Sequence, residues 1–339
     1  MYTDDEFHPR LDREGSLDTR PLLSFGEIAN YIAQCASLAL TLQMTSLYQH
    51  DIRHVYPERI SLQVPRQFSA ITAATSNFFE LAKRGIMVER ELLEIDEVDL
   101  GWMISEMNST VRNWVRGGPR LFGLSFLFAP LLVSAGYELS TVSKLPSDIN
   151  DESFKTTIDD ILDNTTPEDT VNILQMIYDF QIKDPQFSDQ SELVLNETIE
   201  NMLDNEINLL SYFKLNSSHN ILYNEAASNY PITFGEGWKA FSEAWNVSSN
   251  FSLSINHTYF TIMSLISDHT LKVRSNKLAD NTRRRAKELV DLGGFITEEG
   301  RKEAYALDRY LLENEIRPRS VSDLTSAVTF LGILRGFRP

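Results

Sequence analysis

An all-α fold, built as one large multi-helix domain, follows from three features of the sequence. Apolar residues recur at helical spacing in several long segments, no run alternates apolar with polar residues as a half-buried strand would, and no Asn-Gly hairpin signal occurs. A length of 339 residues with 42% hydrophobic content is enough to bury a sizeable core.

Residues 1 to 20 are polar and charged and read as a flexible acidic tail ahead of a helical domain over 21–339. Phe25 to Leu42 places Phe25, Ile28, Ile32, Cys35, Ala36, Ala39 and Leu42 at helical intervals. Cys35 is the only cysteine, which excludes a disulfide framework, and its apolar setting predicts an inert buried thiol. Leu100 to Val115 repeats the pattern through Met103, Ile104, Met107, Val111 and Trp114. Leu121 to Gly136 is strongly apolar but interrupted by Gly123, Ser125, Pro130 and Ser134, and reads as a core helix too short to span a bilayer. Thr166-Pro-Glu-Asp-Thr170 combines a cap candidate, a proline at the first helical position and acids in the first turn. The acidic stretch 145–210 reads as solvated helix faces with loops, and no Pro/Gly/Ser linker divides the chain.

A formal charge of −17 argues against non-specific nucleic-acid binding, which needs a basic footprint, although it leaves room for a local basic pocket. The beginning Met1-Tyr-Thr-Asp-Asp-Glu is acidic where a signal peptide would be basic and then apolar, so a cytoplasmic protein without membrane attachment is expected. Oligomeric state is not legible.

Chemistry concentrates after residue 250. His257, Thr261, Ser264 and Asp268 fall on one face of a helix expected over 252–268, opposite Ile255, Tyr259, Ile262, Met263 and Ile266. That polar stripe is either a solvated face or the lining of a cleft. Eleven residues separate His257 from Asp268, too far for a hydrogen bond along a helix. The basic run Lys272, Arg274, Lys277, Arg283, Arg284, Arg285 and Lys287 could hold an anion, but successive arginines point about 100° apart and at most one or two could share a site. Gly293 and Gly294 end one helix, Thr297 caps the next, and Gly300 is a helix-interior glycine that needs a reason. In Pro318-Arg-Ser-Val-Ser-Asp-Leu324, Ser320 or Ser322 can cap a helix expected from 322 to 334, with Asp323 in its first turn. Such a terminus can instead receive a phosphate oxygen.

The order of these motifs resembles the triphosphoribosyl-dephospho-CoA synthase family of all-helical enzymes. The resemblance is carried by Asp268-His-Thr-Leu-Lys-Val-Arg274, Ala286…Gly293-Gly294, Thr297…Gly300, Leu307-Asp308 and Pro318…Asp323-Leu324, with Gly101-Trp102, Gly118…Gly123…Pro130 and Asn220…Ile232-Thr-Phe as weaker blocks. It implies transfer of the triphosphoribosyl group of ATP to the 2′-hydroxyl of a dephospho-CoA-type acceptor with release of adenine, and magnesium as Mg-ATP. It further implies catalytic roles for Asp268 and Asp323, and substrate contacts from Arg274, His257, Thr270, Gly293, Gly294 and Ser322.

This sequence also departs from the family pattern. The N-terminal Thr-Pro-Lys-Pro-Gly block with its preceding glutamate is reduced to Gln43 and Tyr56-Pro57-Glu-Arg-Ile60. An asparagine-containing turn is replaced by Arg116-Gly-Gly-Pro-Arg120, a glycine-rich segment by Tyr178–Lys183, and two glycines of the last helix start by Arg319 and Ser320. Arg319 lacks the conformational freedom and small size that let glycine backbone approach a phosphate. The alternative is a non-catalytic helical binding or assembly protein that keeps the fold.

Overall fold

Helices alone build the described part of this chain, and the reason lies in how its apolar residues pack. The computed structural model describes residues 24–49, 60–116, 121–140, 149–182 and 192–339. The expected acidic tail, Tyr56–Arg59, the Gly117–Arg120 turn and Lys183 lie outside them. Fifteen α-helices occur among the described residues, with no strand. In chain order they are α1 (Phe25–Gln49), α2 (Ile60–Glu89), α3 (Leu100–Trp114), α4 (Phe122–Ser140), α5 (Asp151–Asp163), α6 (Pro167–Asp179), α7 (Glu192–Asp204), α8 (Leu209–Asn216), α9 (Ile221–Ala227), α10 (Gly237–Ser248), α11 (Phe251–Leu265), α12 (His269–Lys272), α13 (Asn276–Asp291), α14 (Glu298–Glu313) and α15 (Arg319–Leu334).

The apolar helix α4 forms the centre, with Leu124 to Gly136 buried without interruption. It is longer than the sequence suggested. At 19 residues it meets the length and hydropathy of a membrane-crossing helix, yet 83% of that span is buried inside protein. Neighbouring helices cover it closely: a Cβ at Gly85 would strike the Val133 backbone and one at Gly136 the Ala82 backbone, so small residues let α2 and α4 cross in backbone contact. Cys35 is buried on α1, its thiol pushed up to about 12 chiefly by burial, as an inert structural cysteine should be.

Thr166 caps α6 in a capping box with Asp169, and Asp169 also accepts the Gly101 N–H at 2.7 Å, joining the starts of α3 and α6. Asp169 is therefore a buried acid within a stretch expected to be solvated. The region before α15 is fixed from the other side of the molecule as well, because α15 packs on α1, α4, α10 and α11. Tyr31 of α1 donates its hydroxyl to the Leu334 carbonyl at 3.2 Å, and Arg338 reaches the same Tyr31 oxygen at 3.1 Å.

Two expected helix boundaries shift. Helix α11 stops at Leu265, so Asp268 is not on its face but caps α12, and the expected polar stripe ends at Ser264. Ser254, Asn256, His257 and Thr258 are buried, because α11 passes between α1, α10, α13 and α15. Two of its buried hydroxyls bond back to their own helix or its cap, Ser254 to the Asn250 carbonyl at 3.0 Å and Thr258 to the Ser254 carbonyl at 2.8 Å. Helix α15 begins at Arg319, not 322; neither Ser320 nor Ser322 caps it, and Asp323 falls in its second turn.

Candidate functional site

Asp268 enters the site through a turn. At the N-cap of α12 its Oδ1 accepts the Thr270 N–H at 2.8 Å and the Thr270 hydroxyl at 2.5 Å, while Oδ2 accepts the Val321 N–H at the start of α15 at 3.3 Å. This carboxylate is buried, and it ties two helix starts together. The next residue continues the tie: His269 Nδ1 and the Ser320 hydroxyl are 2.9 Å apart. Burial lowers the His269 imidazole, opposed by the Asp268 charge and reinforced by Lys272.

Asp323 lies one helical turn inside the start of α15 and meets α4. A Cβ at Gly123 would stand 2.6 Å from the Asp323 Oδ2 and 2.8 Å from Leu222 Cδ1, so the carboxyl occupies space that only glycine leaves. The residue is half-buried, in a crevice ringed by protein but still open to solvent. Burial chiefly, and then the neighbouring Asp268 carboxylate, push the Asp323 carboxyl up to about 8, against the pull of the Arg319 guanidinium. No hydrogen-bond donor among the described residues reaches it. Two carboxylates 55 positions apart in sequence thus share one crevice between α4, α12 and α15.

The other expected contacts divide. Thr270 is beside the pair, its N–H and hydroxyl both engaged by Asp268. Ser322 follows Arg319 at i+3 on the exposed rim of α15, partly accessible. Arg274 is exposed, with Nη1 donating to the Glu315 carbonyl at 2.7 Å on the link into α15.

His257, Gly293 and Gly294 form a separate buried group. The Phe295 N–H donates to His257 Nδ1 at 3.2 Å, so the imidazole is neutral with its proton on Nε2, and burial lowers it to about 4. Gly294, at φ +61°, presses against that ring: a Cβ there would lie 2.5 Å from His257 Cε1. Gly293, at φ +93°, packs on Thr297, and a Cβ on Gly300 would strike the Gly294 carbonyl. The glycines approach their own chain closely, which supplies the reason Gly300 lacked. From His257 to the end of α11 is about 12 Å along the helix axis, so this group backs the helix that leads to Asp268.

The basic run does not converge. Arg284 pairs with Glu288, Arg285 stacks over Tyr310 with its guanidinium 4.3 Å from the ring centre, and Arg283 lies 4.0 Å from Asp280, all along α13. The sequence reading missed Gly123, His269 and Arg319 as site residues. For Arg319 a signal was present, since it precedes Asp323 by four positions and so shares its helix face.

Comparison with known proteins agrees with this arrangement. The family described as ATP:dephospho-CoA triphosphoribosyl transferase matches residues 29–338. A crystal structure of a candidate triphosphoribosyl-dephospho-CoA synthase from Archaeoglobus fulgidus superposes with a TM-score of 0.56 at 20% identity, covering 79% of this chain and 99% of the other, and so shares the fold. No curated protein matches. With the match running from α1 past α15 and including both carboxylates, the chain belongs to the ATP:dephospho-CoA triphosphoribosyl transferase family.

Proposed function

We propose that this chain transfers the triphosphoribosyl group of ATP to the 2′-hydroxyl of a dephospho-CoA-type acceptor in the cytoplasm. The observation that carries the reading is the crevice carboxyl of Asp323, beside Asp268 and without a hydrogen-bond donor among the described residues. The C1′–N9 bond of ATP breaks and a C1′–O bond to the acceptor forms; the Asp323 carboxyl gives its proton to the departing adenine, which leaves as the neutral base, and the carboxylate so formed takes the acceptor's hydroxyl proton. A carboxyl raised to about 8 keeps at neutral pH a proton that an ordinary aspartate has lost, and the charge left once that proton is given up steadies the oxocarbenium-like ribose carbon. Asp268, fixed by three N–H and O–H donors, holds the start of α15 and therefore Asp323 in register.

The residues also fit magnesium carried in by ATP. Among the described residues no group of three or more His, Cys, Asp or Glu forms a dedicated metal cage. Magnesium is commonly bound by one or two carboxylates with phosphate oxygens and waters completing the shell, and Asp268, whose Oδ2 meets a single N–H donor, would be the carboxylate available to it. When bound it would neutralise triphosphate charge. Arg274 and Ser322 flank the same end of α15 as further substrate contacts.

The test is adenine release from ATP with magnesium and dephospho-CoA, with the acceptor's gain in mass followed in parallel. Asp323→Asn should slow transfer by about a hundredfold or more, with the fold intact. A folded sample that releases no adenine removes this reading. A second reading has its own support: the Val321 N–H and the Ser320 hydroxyl at the start of α15 are already engaged by Asp268 and His269. A non-catalytic protein built that way would bind nucleotide without releasing adenine.

A further inference from the structure

Arg319 is the first residue of α15. It is exposed, and no carboxylate among the described residues lies within ion-pair distance of it. Being four residues ahead of Asp323, it lies one turn above that carboxyl on the same helix face, at the mouth of the crevice. Around it several polar groups are committed: Val321 N–H to Asp268, the Ser320 hydroxyl in a bond with His269 Nδ1, and Arg274 Nη1 to the Glu315 carbonyl. Of the rest of the basic run, Lys272 ends α12 with its charge acting on His269, and the others are dispersed over α13. The crevice therefore has carboxylates in its floor and, at its rim, the guanidinium of Arg319, the first residue of a sixteen-residue helix and the cation whose charge acts on Asp323.

We propose that Arg319 binds the triphosphate of the nucleotide, a side-chain fork here doing what close backbone approach does at a glycine-rich helix start. A guanidinium presents paired N–H donors that match two phosphate oxygens, and it reaches several ångströms from its backbone, so the helix can begin straight from Arg319 without a positive φ. The inference rests on the transferase reading for the identity of the ligand, but its test does not need the reaction.

Inorganic tripolyphosphate with magnesium serves as the probe. It should raise the melting temperature of the unaltered protein by mass action. Arg319→Ala should weaken this binding about tenfold or more, as loss of a charge-assisted pair does, with its unliganded melting temperature unchanged; Arg319→Lys should recover part of the affinity, and Arg284→Ala should behave as the unaltered protein. In the transfer assay, Arg319→Ala should raise the half-saturating ATP concentration by a similar factor while kcat falls less. Equal tripolyphosphate affinity in folded Arg319→Ala, or no response in the unaltered protein, overturns the assignment. Transfer with an unchanged half-saturating ATP concentration in Arg319→Ala overturns it too and leaves the reaction standing. An Arg319-dependent tripolyphosphate response without adenine release supports the phosphate contact and sinks the reaction.

Discussion

The Asp323 carboxyl rests on Gly123, with its Oδ2 only 2.6 Å from where a side-chain carbon would begin. Gly123→Ala forces that carboxyl and the Leu222 methyl to move, and both are ends of flexible side chains. Alanine also favours a helix by about 1 kcal/mol over glycine. The melting temperature should therefore change little or rise, while adenine release falls at least tenfold, the effect of a displaced catalytic group. A variant with full transfer rate would show that Asp323 does not act from this position.

Asp323 should also make stability fall with pH. An unfolded aspartate titrates near 3.9, whereas the folded residue titrates at about 8. Between those values the folded chain keeps a proton that the unfolded chain has released, so folding loses ground as pH rises through the window. Asp323→Asn removes the titration, and its stability relative to the unaltered protein should improve from about pH 4 to pH 8. Urea midpoints at pH 5, 6.5 and 8 measure this; parallel midpoints would mean that the carboxyl is ordinary.

The His257 effect has the opposite sign. Its imidazole is lowered to about 4 in the fold and titrates near 6.5 when unfolded, so its stabilisation is present above pH 6.5 and is lost as pH falls toward 4. Gly294→Ala tests the same contact sterically, adding a φ of +61° that suits glycine to a collision with a buried ring. A loss of roughly 2 to 4 kcal/mol in chemical denaturation is expected. A loss below about 0.5 kcal/mol, the level of neutral surface changes, would show that the turn relaxes freely.

Asp169 offers the contrast of an acid that serves structure alone. It closes the Thr166 capping box and accepts the Gly101 N–H, so Asp169→Ala should cost about 2 to 3 kcal/mol from a lost cap and an unsatisfied buried donor. Half-saturating ATP should stay constant in the remaining folded enzyme. A selective change in ATP saturation would place Asp169 in the substrate path.

Much of this architecture was legible in sequence because helical periodicity and caps are local. The Phe25, Leu100 and Thr166 helices occur where the pattern put them, and motif order indicated the family. What failed depended on neighbours. Periodicity placed Asp268 on α11 because nothing local marks the stop at Leu265; Asp268 turns away to serve Thr270 and Val321. The resemblance implied substrate contacts for His257, Gly293 and Gly294, and only the fold shows that Gly294 packs on the His257 ring. Arg319 was read as an obstruction because a glycine was expected there. Its helix begins at that residue, three positions earlier than expected.

The bond from Tyr31 to the Leu334 carbonyl joins residues 303 positions apart, and α15, which carries Asp323, is wedged between α1 and α4. During synthesis the early helices can therefore collapse with α2 against α4, but the crevice has no floor until α15 leaves the ribosome and docks. A partly made chain is helical and empty-handed. The capacity to meet a nucleotide arrives in the closing step of folding, together with the latch that joins the two ends of the domain.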